Sequence, residues 1–172
     1  NGAATELGAG HWQVAFPAWH SSLSPLLEVR PSSTVESATA TVALPASGTT
    51  CSLEAWKLAG GPDDLPTRLT QLGQLLVDNE TDYGRFLGDR FVLFFNGGSG
   101  GMEYAGATTT SPGALAHEVF HSWFARGISP AAQADGWWDE GFTVWHDGGA
   151  DDTEPFDFLD PPVTLCSRQP FQ

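Results

Sequence analysis

The stretch Ser111-Pro112-Gly113-Ala114-Leu115-Ala116-His117-Glu118-Val119-Phe120-His121-Ser122-Trp123-Phe124 decides how this chain is read. Serine as N-cap and proline at the first helical position start a helix, the residues that follow sustain it, and Gly127 suits its end. Four residues apart on a helix, His117 and His121 are offset by about 40° around the axis and about 6 Å along it, so both imidazoles can reach one ion. Glu118 lies one position round. It can face a water beside that ion without ligating it, which is the place of a general base. Neutral imidazole suits zinc, and a catalytic zinc site takes a third ligand from another element while its fourth position stays open. Glu140 is placed to be that ligand: eighteen residues separate it from His121, enough to end one helix, turn, and present a carboxylate from the next. His-Glu-x-x-His should arise by composition in only about 0.007 chains of this kind. A structural zinc site is the harder competitor, but such sites favour a closed shell of four Cys or His ligands.

Working outward, Asp135 can cap a second helix with the body Trp137 to Trp145, and an irregular Asp-, Pro- and Gly-rich tail follows over 148–172. Upstream, Phe91-Val92-Leu93-Phe94-Phe95 is a short apolar run that reads as a buried strand entering the glycine-rich loop 96–101, with a second strand at Met102 to Ala105. That loop lacks the Gly-Lys-Ser/Thr ending of a phosphate cradle, so close approach of backbone to a peptide fits it better. Leu65, Leu69, Leu72, Leu75, Leu76 and Val77 recur at helical spacing and predict a helix over about 66–79. Alternation from Thr34 to Leu44 predicts a strand. The organisation is therefore one domain, with a β-rich lead-in over 1–60, a core over 61–147 and the tail.

The 172 residues suffice for one domain with a real core. Seven Trp and eleven Phe give a globular composition, and no apolar run has the length of about 18 residues that a membrane helix requires. Twenty-one acidic against seven basic residues give a net charge of −14, and Lys57 is the only lysine, which argues against nucleic acid and anionic membranes. Such a charge suits a secreted or periplasmic protein, kept soluble by self-repulsion. Asn1 reads as the start of a processed or excised segment. Cys51 and Cys166 are in no metal-ligand spacing; a disulfide and two buried thiols are equally compatible with them.

These motifs together resemble the gluzincin metallopeptidases, above all the aminopeptidase N family. GGMEY (Gly100 to Tyr104), AHEVFHSW (Ala116 to Trp123) and WWDEGFTVW (Trp137 to Trp145) are similar, in order and spacing, to that family's exopeptidase motif, HExxH helix and downstream glutamate block. The glycyl aminopeptidase family is the close rival: Asn96 to Glu103 and His121 to Pro130 resemble its glycine-rich loop and the sequence after its second histidine. The resemblance implies a thermolysin-like α+β core, in which a mostly antiparallel sheet with an edge strand near Met102 to Ala105 packs on the HEVFH helix. It implies one zinc ion, with His117, His121 and Glu140 as ligands and Glu118 as base. It further implies that Glu103 binds the α-amino group of a peptide substrate while Gly100, Gly101, Met102 and Tyr104 line it. Tyr104 departs from the family's Asn. The family also stabilises the oxyanion with a tyrosine well downstream of the zinc glutamate, whereas Tyr83 and Tyr104, the only tyrosines, precede the motif. His146 and Tyr104 are weak substitutes, and the alternative is a C-terminal helical segment or domain that completes the site. Three functions are therefore weighed: zinc aminopeptidase, zinc endopeptidase on the same core, and a peptide-binding fragment whose active site is incomplete.

Overall fold

The computed structural model describes residues 3–16, 18, 26–128 and 137–148. Strands β1 (Ala3–Gly8) and β2 (His11–Ala15) form a separate antiparallel hairpin. The main sheet is built from β3 (Val35–Leu44), β4 (Thr49–Leu58), β5 (Arg90–Phe95), β6 (Met102–Tyr104) and β7 (Ala107–Thr109), in the order β3-β4-β5-β7-β6. Helices α1 (Leu65–Tyr83), α2 (Leu115–Phe120) and α3 (Trp137–Gly148), with a 3-10 turn at Ser32–Thr34, complete the described elements.

Each strand alternates, so one face of the sheet collects Leu53, Ala55, Phe91, Leu93 and Phe95, all buried. Helix α1 lies on that face through Leu65, Leu69, Leu72 and Leu76, the heptad-like spacing expected of one apolar stripe. Leu115 and Val119 of α2, with Trp123 just beyond it, close the same core. Burying each of these side chains is worth about 1.5–3 kcal/mol, which ties the segment carrying the histidines firmly to the sheet. Trp123 also satisfies its indole N–H, which donates to Gly84 O at 2.7 Å.

The expected strands at 34–44 and 91–95 and the edge strand after the glycine loop are present within a residue or so. The sheet, however, is mixed: β3–β4 and β6–β7 pair antiparallel, β4–β5 and β5–β7 parallel. Strand β7 runs parallel to β5 because the edge strand β6 intervenes in the chain; for β4 and β5 the cause lies in α1. A connection of helical length between β4 and β5 returns the chain to the start of the next strand, and such a crossover makes neighbours parallel. The helix itself runs to Tyr83, longer than its leucine pattern, and stops at Gly84, whose φ of 89° suits glycine.

The helix expected over 112–124 is shorter than its sequence pattern. Ser111 caps nothing with its side chain, and α2 proper covers six residues. Beyond Phe120 the bonds Ser122 N–H to Val119 O (3.0 Å) and Trp123 N–H to Phe120 O (2.9 Å) tighten the chain into turns, and Ala125 takes a φ of 121°. His121 still has helical dihedrals, φ −56° and ψ −17°, so the four-residue relation of the two histidines survives. The expected cap Asp135, the tail beyond Gly148 and Cys166 lie outside the described residues; Cys51 is buried, and burial first, then Asp89 and Glu80, push its thiol up to about 12.

Candidate metal centre

His117 and His121 project from α2 toward α3, and Glu140 in the first turn of α3 meets them. His117 Nε2 lies 3.2 Å from His121 Nε2 and 3.2 Å from Glu140 Oε2, and His121 Nε2 lies 3.8 Å from the same carboxylate oxygen. Three atoms held by bonds of about 2.0–2.1 Å to a tetrahedral ion would stand about 3.3 Å apart, so the observed spacing fits zinc.

The far side of each ring explains why both Nε2 atoms face one point. His117 Nδ1 is 2.7 Å from Asp147 Oδ2, and His121 Nδ1 is 2.8 Å from Asp139 Oδ1, with Phe124 O at 3.2 Å and Thr143 Oγ1 at 3.3 Å. A carboxylate beside Nδ1 keeps the proton there and leaves the Nε2 lone pair free for a cation, the usual support of a metal-bound imidazole. Asp139, Thr143 and Asp147 were not singled out from the sequence. A signal existed for two of them, because Thr143 and Asp147 follow Glu140 at three and seven residues, the same face of a helix.

Glu118 is buried, is not one of the three converging donors, and has no hydrogen-bond partner at Oε2. Burial chiefly pushes its carboxyl up to about 7; Glu103 and Glu140 add to this, and the two imidazoles oppose it. A group that titrates near neutrality is suited to taking a proton and returning it. Glu103 is buried beside it: Glu103, Glu118 and His121 each offer an atom within 4.8 Å of the others'.

Gly101 explains how Glu118 is aimed. A Cβ at this position would fall 2.5 Å from Glu118 Cγ and Oε1, so only glycine lets the loop from β5 pass over the carboxylate. Gly101→Ala is expected to displace the Glu118 carboxylate and lower Tm by roughly 5 °C, measured by thermal melts.

Tyr104 does not join this group. It lines a cavity of about 410 Å³ with Trp56, Val92 and Phe94, while alternation along β6 turns Glu103 toward α2. Tyr83 packs edge-on against Phe120 and Phe124, and the His146 ring stacks on Phe120 at 3.8 Å. Gly100 and Met102 flank Gly101 at the exposed edge, and β6 ends the sheet order, so its outer edge is unpaired among the described residues.

The metal-free cluster carries its own pH dependence. Glu140 first, and Asp147 after it, hold His117 up to about 9 against the opposing effect of burial. The stability this pairing gives is fully present below the ordinary value of 6.5 and is lost as pH rises through about 9. Glu118 acts in the same sense, since its cost of ionising in the site grows from 4.5 to about 7. Without metal, the protein is therefore expected to lose roughly 5–10 °C in Tm between pH 5 and 9, measured by thermal melts in chelator.

No protein-family profile matches the chain, and no curated protein matches it. Solved structures do. A mutant two-domain M1 zinc metallopeptidase with bound L-arginine is 22% identical, with a TM-score of 0.53 over 66% of this chain and 27% of that one. An M1 zinc metallopeptidase from Deinococcus radiodurans is 24% identical, with a TM-score of 0.50 over 64% of this chain and 27% of that one. A mutant from the same organism with bound Tyr-Ser-Ala substrate is 22% identical, with a TM-score of 0.51 over 69% and 30%. This α+β chain has the fold of part of an M1 zinc metallopeptidase. It spans little more than a quarter of the length of these proteins, and at such identity the likeness is one of fold.

Proposed function

We propose that this chain is the metal-binding part of a zinc-dependent peptide hydrolase. The observation that carries this is the convergence of two Nε2 atoms and one carboxylate oxygen at 3.2–3.8 Å, each imidazole backed by a carboxylate. His117, His121 and Glu140 would hold the ion. Zinc bound there supplies Lewis acidity, polarising a carbonyl and easing the deprotonation of water. Glu118 accepts the proton from the attacking water and later delivers it to the leaving amine. The open edge of β6 can align an extended peptide by backbone hydrogen bonds, with Gly101 holding its strand close to Glu118. That structures of this fold have been obtained with an amino acid and with Tyr-Ser-Ala bound supports a peptide as substrate.

The family resemblance makes Glu103 an amine anchor and the enzyme an aminopeptidase. One observation favours the endopeptidase reading instead: Glu103 is already in an ion pair, Arg126 Nη2 standing 2.6 Å from its Oε1. Tyr83 and His146 pack against the Phe120 ring and Tyr104 lines the cavity, and we propose that the oxyanion partner comes from outside the described residues. The function is tested by metal removal. Chelated protein is expected to lose at least about 100-fold in peptide cleavage and to regain it with one equivalent of zinc; cleavage that persists in chelator overturns the assignment.

A further inference from the structure

Arg126 is one of seven basic residues in the chain, yet it is set beside the candidate centre rather than in solvent. Its side chain is 11% exposed and that of Glu103 is 9%. Nη2 donates to Glu103 Oε1 at 2.6 Å and reaches Glu103 O at 3.4 Å. The turn that carries it is fixed by the metal-ligand segment: Arg126 N–H donates to His121 O at 2.9 Å. At the next residue, Gly127, a Cβ would fall 2.6 Å from Ser122 O, so the turn cannot easily shift. The guanidinium is thus a built part of the site.

Its effect on Glu103 follows from charge. A carboxylate holds a substrate ammonium through its unpaired negative charge, and in a nearly dry pocket that attraction is strong. A guanidinium does not deprotonate, pairs carboxylates firmly, and repels an incoming ammonium. We propose that Arg126 is a specificity-determining residue: by neutralising Glu103 it makes the site accept peptides whether or not their α-amino group is free. The inference rests on the peptide-hydrolase reading for its substrate class and on the Glu103–Arg126 geometry for its direction.

The test uses the full zinc-loaded chain carrying Glu118→Gln, so that binding is read without turnover. Tri-alanine amide and its N-acetyl form are titrated by calorimetry. With Arg126 present the two are expected to bind within about threefold of each other; Arg126→Met is expected to favour the free amine by about tenfold or more; Glu103→Gln with Arg126→Met is expected to return the ratio to that of the parent. A parent that prefers the free amine by more than tenfold, or an Arg126→Met ratio equal to the parent's, overturns the proposal. If Arg126→Met does not fold, the double variant decides, because it removes both charges together: a ratio below the parent's shows Glu103 acting as an anchor despite Arg126 and overturns it. Binding of neither peptide overturns both readings. Expected ratios with no cleavage by the zinc-loaded wild type overturn the hydrolase reading alone.

Discussion

Glu118→Gln is expected to keep a full equivalent of zinc and to lower kcat for peptide cleavage by about 10³- to 10⁴-fold. The expectation separates two roles that adjacent residues of one helix could confuse. His117, His121 and Glu140 bring three donor atoms together, while Glu118 has a buried Oε2 without a partner and groups instead with Glu103 and His121. Glutamine keeps the shape and removes the proton-accepting charge, so metal affinity survives and proton transfer does not. A second consequence distinguishes this from general damage. Burial raises the cost of ionising Glu118, and glutamine has no such cost, so the metal-free variant should melt above the wild type at pH 8. Metal analysis, turnover and thermal melts are measured on the same preparations. Turnover equal to the wild type would sink the general-base role.

The largest effect on stability is expected outside the candidate site, at Glu80→Ala: a loss of about 3–5 kcal/mol, seen as a fall of roughly 10 °C in Tm. Glu80 lies on the buried side of α1, fully enclosed, one turn beyond Leu76. Its Oε2 accepts Ala46 N–H at 2.8 Å and Ser47 N–H at 3.3 Å, and its Oε1 accepts Phe86 N–H at 3.1 Å. One carboxylate therefore joins the β3–β4 turn, the end of α1 and the lead into β5. Burial opposes its charge, but these donors outweigh it and hold the carboxyl below its ordinary value. Alanine leaves those amides unmatched and opens a void. Glu80→Gln keeps one acceptor oxygen and should lie between. Equal melting of the alanine variant and wild type would show that water replaces the three bonds without cost.

Much of this was legible because it depends on spacing within one element. The leucines of α1, the alternation of β3 and the two histidines each declare themselves by period, and so does the glutamate eighteen residues on. What the sequence did not disclose depends on elements meeting. Glu80 reads as an ordinary helix-end acid until the β3–β4 turn is placed against it. Arg126 and Glu103 are 23 residues apart on segments whose contact no periodicity predicts. The parallel pairing of β4 with β5 could have been inferred, since a nineteen-residue helix between two strands is a crossover. The short α2 has another reason: no glycine or proline interrupts the run from Phe120 to Arg126, but backbone bonding in the following turns takes precedence.

The way α3 is attached has a consequence for motion. Its polar ties to the rest of the described fold run through two imidazoles, Asp139 to His121 and both Glu140 and Asp147 to His117, beside aromatic contacts such as Phe142 on Phe124. Helix α1, by contrast, is riveted by a row of leucines. A cation shared between α2 and α3 would thus act as a staple on a helix that contributes no member of the buried leucine core, and amide-exchange protection over 137–148 would report metal occupancy directly, while the sheet and α1 exchanged at their own slower rate. Local order of one helix and affinity for one ion become a single thermodynamic quantity.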